Sequence, residues 1–342
     1  MSGESSSAAG WSSKLDPARP PTDLAHRPDD LRLGEVVEFW RGDPAALRPG
    51  RAVLLGFPQD EGVRRNHGRA GAAEAPDAIR PFLYRLTPWG YEPDVDLTLE
   101  PPLDAGNIRI EGSLEETQAA LAHVIGGILR AGAVPIVLGG GHETAYGHYL
   151  GYLDVGRDLG IINIDAHLDM RPCPGGLGTS GTPFRQCLEH PRYPLEGNRY
   201  VCLGAQPQAV SRAHWQLARH KGCVIAWGDK IGRHLSRCYA REQERLAAKG
   251  AVYLSIDADA AHMSDVPGVS APNPSGLSAE DIAQCALLAG SCPAVTSIDV
   301  VEINPRFDRD GQSARWAARV VWSFLMGLAQ RPAGNLGSSQ GI

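Results

Sequence analysis

The chain has 342 residues, of which 43% are hydrophobic and 21% charged, a balance that suits a globular protein with a sizeable core. A net charge of −6 gives no footing for a polyanionic partner, and no basic tract with interleaved aromatic residues marks a nucleic-acid surface. No stretch approaches the ~20 apolar residues of a membrane span, and the seven cysteines, none in a CxxC pair, read as reduced thiols of a cytoplasmic protein.

In chain order, the opening "MSGESSSAAGWSSKLDPARPP" is rich in Ser, Ala and Pro. Residues 1–30 therefore read as a disordered tail. Residues 31–332 read as one folded domain and 333–342 as a flexible C-terminal tail. Five apolar runs predict strands: "RAVLLGF" (51–57), "AVPIVLGGGH" (133–142), "LGIINID" (159–165), "AVYLSID" (251–257) and "AVTSIDVVEINP" (294–305). They lack clear polar alternation, so both faces should be buried, as in a parallel sheet. Between them lie amphipathic stretches with boundary signals. Ser113 with Glu116 forms a capping box before an apolar-periodic run that stops at Gly132. Ser278 with Asp281 opens another helix, and a last one runs from about Gln312 to Gln330. Strand–helix alternation predicts a single-domain, three-layer α/β/α fold around a mainly parallel, doubly wound sheet. In such sheets the site lies beyond the carboxyl ends of the strands.

Four of the five runs end in polar clusters: "GGGHE" with His142, "DAHLD" with Asp165, His167 and Asp169, "SIDADAAH" with Asp257 and Asp259, and "DVVEINP" with Glu302. Each has a plainer reading. "DAHLD" alone is equally a metal site or a turn capped by an aspartate. "SIDAD" alone reads as a helix N-cap beside a second acid, "GGGH" as a glycine turn, and Glu302 as an acid near a turn closed by Pro305. Together they change the balance. Four carboxylates brought together would repel and resist ionisation without cations. Two divalent ions would balance them, and six ligands exceed the four of a closed zinc site. Oxygen-rich ligation with imidazole and no thiolate favours Mn²⁺, leaving Fe, Co, Ni and Zn open. Water between two such ions is acidified toward hydroxide.

These motifs resemble the metal motifs GGxH, DAHxD and SxDxD of the ureohydrolase family, which comprises arginases, agmatinases and formimidoylglutamases. The resemblance spans roughly residues 50–328. It implies an arginase-like fold and two Mn²⁺ per chain, held by His142, Asp165, His167, Asp169, Asp257 and Asp259, with Asp165 and Asp257 as bridges. It also implies that Glu302 holds the cationic amidine or guanidine group of a small substrate, and that the chain forms a homo-oligomer. The segments "DEGVRRNHGRAGAAEAPDAIR" (60–80), "GGGHETAYGHY" and "TSGTPFRQ" (179–186) are similar to the formimidoylglutamase branch. Gly141 stands where arginases and agmatinases carry aspartate. Ser180 stands where agmatinases carry a proton-transferring histidine, which leaves the general acid open; Asp169 is a candidate relay.

N-formimino-L-glutamate carries two carboxylates and one amidinium, so its site needs cationic donors. Arg64, Arg65, Arg69 and Arg185 lie in segments that the resemblance places near the entrance, with Ser180 beside them. The expected reaction is hydrolysis of the formimino C–N bond to L-glutamate and formamide, a step of histidine degradation. The alternatives are another amidine or guanidine hydrolase and a non-catalytic metal-binding member. His262 stands where the family often has aspartate after the third motif, and reads as a satisfied turn histidine.

Overall fold

A computed structural model describes residues 8–22, 24, 26–90 and 95–331. Ten strands form one sheet: β1 (Leu15–Asp16), β2 (Glu38–Phe39), β3 (Ala52–Gly56), β4 (Leu103–Ile108), β5 (Val134–Leu138), β6 (Leu159–Ile164), β7 (Tyr200–Ala205), β8 (Val224–Trp227), β9 (Ala251–Asp257) and β10 (Val295–Val301). Their spatial order is β1-β4-β3-β5-β10-β9-β6-β7-β8, with β2 also pairing β4. Every pairing is parallel except β1 with β4.

Both faces of the sheet are buried, as the unalternating runs predicted. Ile162 and Ile164 join one core with Ile136, Leu254 and Val300. Ile161 points the other way, into a second core with Val53, Leu55 and Val137. Helices Ala75–Tyr84, Leu235–Ala247, Ala279–Ser291 and Gln312–Ala329 cover the first face. Helices Leu114–Arg130, Thr144–Leu153 and Pro183–Leu188 cover the second. The three-layer α/β/α expectation is borne out. So are the caps: the Ser113 hydroxyl accepts from the Glu116 N–H while the Glu116 carboxylate accepts from the Ser113 N–H, and Ser278 accepts from the Asp281 N–H.

Two expectations differ from the structure. The sequence runs missed β4, β7 and β8, along with the two-residue β1 and β2. β4 was hidden by Asp104, Gly106 and Asn107 inside it. Asp104 is fully buried there because Arg80 Nε donates to it at 2.8 Å and Tyr84 OH at 2.6 Å. The tail expected to be disordered to residue 30 also differs. From Ala8 a 3₁₀ turn leads into β1, and Trp11 is fully buried. Its ring lies 5.3 Å from that of Trp40, over Gly127, where a Cβ would stand 2.3 Å from the indole. One large aromatic side chain anchors a segment whose composition is otherwise that of a loose tail. Residues 1–7 and the expected C-terminal tail, 333–342, lie outside the described residues.

Candidate metal centre

The four strands with polar ends are contiguous in the sheet, in the order β5-β10-β9-β6. All four are parallel, so their carboxyl ends open on one edge. After β5 the chain turns through Gly139–Gly141. A Cβ on Gly140 would lie 1.9 Å from the Gln59 carbonyl, so only glycine allows the turn that delivers His142. After β6, Asp165 Oδ1 accepts from the His167 N–H at 2.6 Å. After β9, Asp257 Oδ1 accepts from the Asp259 N–H at 2.8 Å. The capped-turn readings of "DAHLD" and "SIDAD" are thus true, and they do not compete with the metal reading. One oxygen of each aspartate caps its turn; the other faces His142. Asp169 (φ 45°) and Glu302 (φ 64°) hold left-handed backbone conformations, strain of the kind that concentrates at functional sites.

Two groups of ligand atoms result. His142 Nδ1 lies 3.4 Å from Asp165 Oδ2 and 2.9 Å from both Asp169 Oδ2 and Asp257 Oδ2. His167 Nδ1 lies 3.5 Å from Asp165 Oδ1 and 3.2 Å from Asp259 Oδ2. Asp165 belongs to both groups, one oxygen to each. Glu302 reaches across from β10, and its Oε1 accepts from the His142 N–H at 2.8 Å.

Without cations this arrangement is strained electrostatically. Burial, then repulsion from Asp259 and Asp165, pushes Asp257 well above the usual carboxylate range. Burial and Asp165 raise Asp169; burial, Asp257 and Glu143 raise Glu302 strongly. Burial works against a charged His142, but hydrogen bonding and attraction from Asp169 and Asp257 prevail and raise it well above its usual value. The charge of Asp259 foremost does the same for His167. Burial also works to raise Asp165, yet bonds and charge from His167 and His142 hold it low. Asp259 Oδ1 is buried with no hydrogen-bond partner, and His142 Nδ1 is buried with only carboxylate oxygens before it. A buried imidazole nitrogen facing three carboxylate oxygens, with an orphaned carboxylate oxygen nearby, fits cations in both groups.

The centre floors a cleft of about 460 Å³. Asp169, Asp257, Asp259, His167, Glu302, Ser180 and Arg69 all line it. Arg69 is fixed from behind: its Nε donates to the Ser270 carbonyl at 3.0 Å, and its guanidinium lies 3.9 Å above the Phe307 ring. Arg64, Arg65 and Arg185 are not among the lining residues. In this structure each guanidinium is paired with a carboxylate outside that lining. Arg64 pairs with Asp60 at 2.9 Å, Arg65 with Glu115 at 2.6 Å, and Arg185 with Glu189 at 2.9 Å.

Sequence reasoning missed Asn66, Arg171 and His214, which line the cleft. Asn66 Nδ2 donates to Ser180 Oγ at 3.1 Å. Arg171 sits two residues past Asp169, and its guanidinium has no carboxylate partner among the described residues. Burial, then Arg171 and Arg185, lower His214 and keep its imidazole neutral. His262 lies outside the cleft, its Nδ1 2.7 Å from Ser264 Oγ within a turn. Gly141 also has a structural account. Glu143 is fully buried beside it, and a Cβ on Gly141 would meet Glu143 Oε2 at 2.1 Å.

The arginase family model matches residues 50–327. A formimidoylglutamase of Cupriavidus pinatubonensis is 41% identical over 313 residues, covering 87% of this chain and 93% of that protein. One from Geobacillus thermodenitrificans is 40% identical over 280 residues, covering 80% and 84%. The crystal structure of Trypanosoma cruzi formiminoglutamase with Mn²⁺ is 34% identical and superposes with a TM-score of 0.80 over 89% of this chain and 100% of that one. The chain belongs to the arginase family.

Proposed function

We propose that the protein hydrolyses N-formimino-L-glutamate to L-glutamate and formamide at a centre of two divalent cations. The observation that carries this is one cleft with a floor of two cation-binding groups sharing Asp165 and with Arg69 and Arg171 on its wall. The full-length similarity to formimidoylglutamases supports the same substrate.

His142, Asp165, Asp169 and Asp257 would hold one ion, and Asp165, His167 and Asp259 the other. The family resemblance adds Asp257 as a second bridge. Mn²⁺ suits the oxygen-rich donor set and is the metal of the T. cruzi structure. When bound, the cations supply a water acidified toward neutral pH and offset the carboxylate charge. Burial is the first cause that raises Glu302 and repulsion from Asp257 the second; bound cations would offset the second and so favour its ionised form. Its Oε1 is held by the His142 N–H, which aims the rest of the carboxylate at the amidinium. Arg171 and Arg69 meet the two substrate carboxylates. Asp169 lies at the edge of the first ion group, where a carboxylate can relay a proton. Proton delivery to the leaving amine otherwise falls to the cleft wall, where Ser180 replaces the expected histidine and His67 and His214 are the imidazoles. Assembly into a homo-oligomer and a cytoplasmic location belong to the same proposal and rest on the family resemblance.

A rate panel tests the substrate. The Mn²⁺-loaded protein should turn over formimino-glutamate much faster than arginine, agmatine, guanidinobutyrate or guanidine. Rapid turnover of another member of the panel, with none of formimino-glutamate, would overturn the assignment.

A further inference from the structure

His142 has two sides. Nδ1 faces the carboxylates of the centre, and Nε2 faces the core, 3.1 Å from Ser255 Oγ. Ser255 Oγ in turn donates to Asp299 Oδ1 at 2.7 Å. Asp299 Oδ2 accepts from Tyr253 OH and lies 3.1 Å from His148 Nδ1. His148 Nε2 continues to Ser297 Oγ at 2.9 Å, and Ser297 to Tyr152 OH at 2.7 Å. Every one of these side chains is fully buried. Nothing in the hydrolytic chemistry above uses Asp299 or His148, yet polar groups so far from water need a reason to be kept.

The chain of donors has only one consistent direction at His142. Because Ser255 Oγ donates to Asp299 Oδ1, its single hydroxyl proton is spent there. Ser255 must therefore accept from His142, which places a proton on Nε2. In the neutral imidazole, the form that takes a cation, Nδ1 is then left with its lone pair toward the three carboxylate oxygens. That is the tautomer a cation needs, and a carboxylate behind a ligating imidazole also raises its basicity.

We propose that Asp299, acting through Ser255, is a positioning residue that fixes the tautomer and orientation of His142 and so sets the affinity of the His142 cation position. Tyr253 and His148 hold the Asp299 carboxylate in place from the other side. The inference rests on the two-cation reading of the centre.

Calorimetric titration of Mn²⁺ into the metal-stripped protein tests it, with the melting temperature of the stripped protein measured in parallel. The wild type should take up two ions. Asp299→Asn should weaken one of the two steps about 10- to 100-fold, the usual cost of losing a partner behind a metal ligand. Ser255→Ala, which leaves Asp299 bonded to Tyr253 and His148, should weaken the same step, and Ser255→Thr, which keeps the hydroxyl, should restore it. Should Asp299→Asn fail to fold, the serine pair carries the test alone. Unchanged affinity in Ser255→Ala would overturn the proposal. So would a lowered melting temperature of the stripped protein with both binding steps intact, which would mark the network as structural only. Uptake of fewer than two ions by the wild type would instead sink the two-cation reading itself.

Discussion

Glu302 and His142 stand 160 positions apart in the chain and are joined by a 2.8 Å hydrogen bond, the His142 N–H donating to Glu302 Oε1. The bond ties the end of β10 to the glycine turn after β5. Glutamine keeps an oxygen for that N–H and removes only the negative charge. Glu302→Gln should therefore bind metal as the wild type does. Its kcat/KM for formimino-glutamate should fall about 10- to 100-fold, the worth of a charged hydrogen bond at ~1.5–3 kcal/mol. A variant with wild-type kcat/KM would show that Glu302 does not hold the amidinium.

Asp165 gives one oxygen to each ligand group, whereas His167 serves one. Asp165→Ala should abolish both uptake steps in a Mn²⁺ titration, and His167→Ala should weaken one far more than the other. Equal loss in the two variants would contradict the shared-carboxylate arrangement.

Removing metal should make stability depend on pH in a definite sense. In the metal-free protein Asp169, Asp257, Glu302, His142 and His167 all have raised pKa values. Each binds its proton more readily folded than unfolded, so the folded state is favoured at low pH. That advantage is lost as pH rises from the unfolded pKa toward the raised folded one. Within the centre only Asp165 runs the other way; the partly buried His123, His190 and His214 outside the ligand groups, also lowered, oppose the trend in part. The melting temperature in EDTA should therefore be lower at pH 8.5 than at pH 5.5, and the gain on adding Mn²⁺ should be larger at pH 8.5. A stripped protein that grows more stable over that interval would refute this account.

Arg171 and Arg65 make a matched pair of controls. Arg171 lines the cleft with no carboxylate partner among the described residues, and Arg65 is paired with Glu115 outside it. Arg171→Ala should raise KM for formimino-glutamate about tenfold or more, since a charged contact is worth ~1.5–3 kcal/mol, while Arg65→Ala leaves KM within about twofold, as expected of a surface pair. Steady-state kinetics with both variants would show the reverse order if Arg65, rather than Arg171, met the substrate.

Trp11 is fully buried against Trp40 and Gly127. Trp11→Ala should cost about 3–5 kcal/mol by urea unfolding, as other large-to-small aromatic truncations do. A loss below about 1 kcal/mol would mean the segment contributes little to the folded domain.

The centre was legible because each of its strands is a short apolar run that stops abruptly on a ligand type. Burial on both faces removed the polar alternation, and the polar residue at each end stood out against it. β4 lacked that contrast, because Asp104 is paid for inside the core by Arg80 and Tyr84, partners distant in sequence. The arginines carry a signal of their own in the sequence. Arg64, Arg65 and Arg185 each have a carboxylate four residues away, Asp60, Glu61 and Glu189, and pair with it on a helical turn. Arg69 and Arg171 have none at that spacing. They are the two that line the cleft. Cations already satisfied by their own helix are poor candidates for substrate binding, and that rule needs only the sequence.

Among the described residues the central strand β10, between β5 and β9, is the last strand in chain order. Until it emerges during synthesis, β5 has no neighbour on that side, and His142 is not held beside Asp257. A nascent chain therefore carries all six acid and imidazole groups before it can assemble them. A complete set of ligands therefore waits on the closure of long-range parallel pairings.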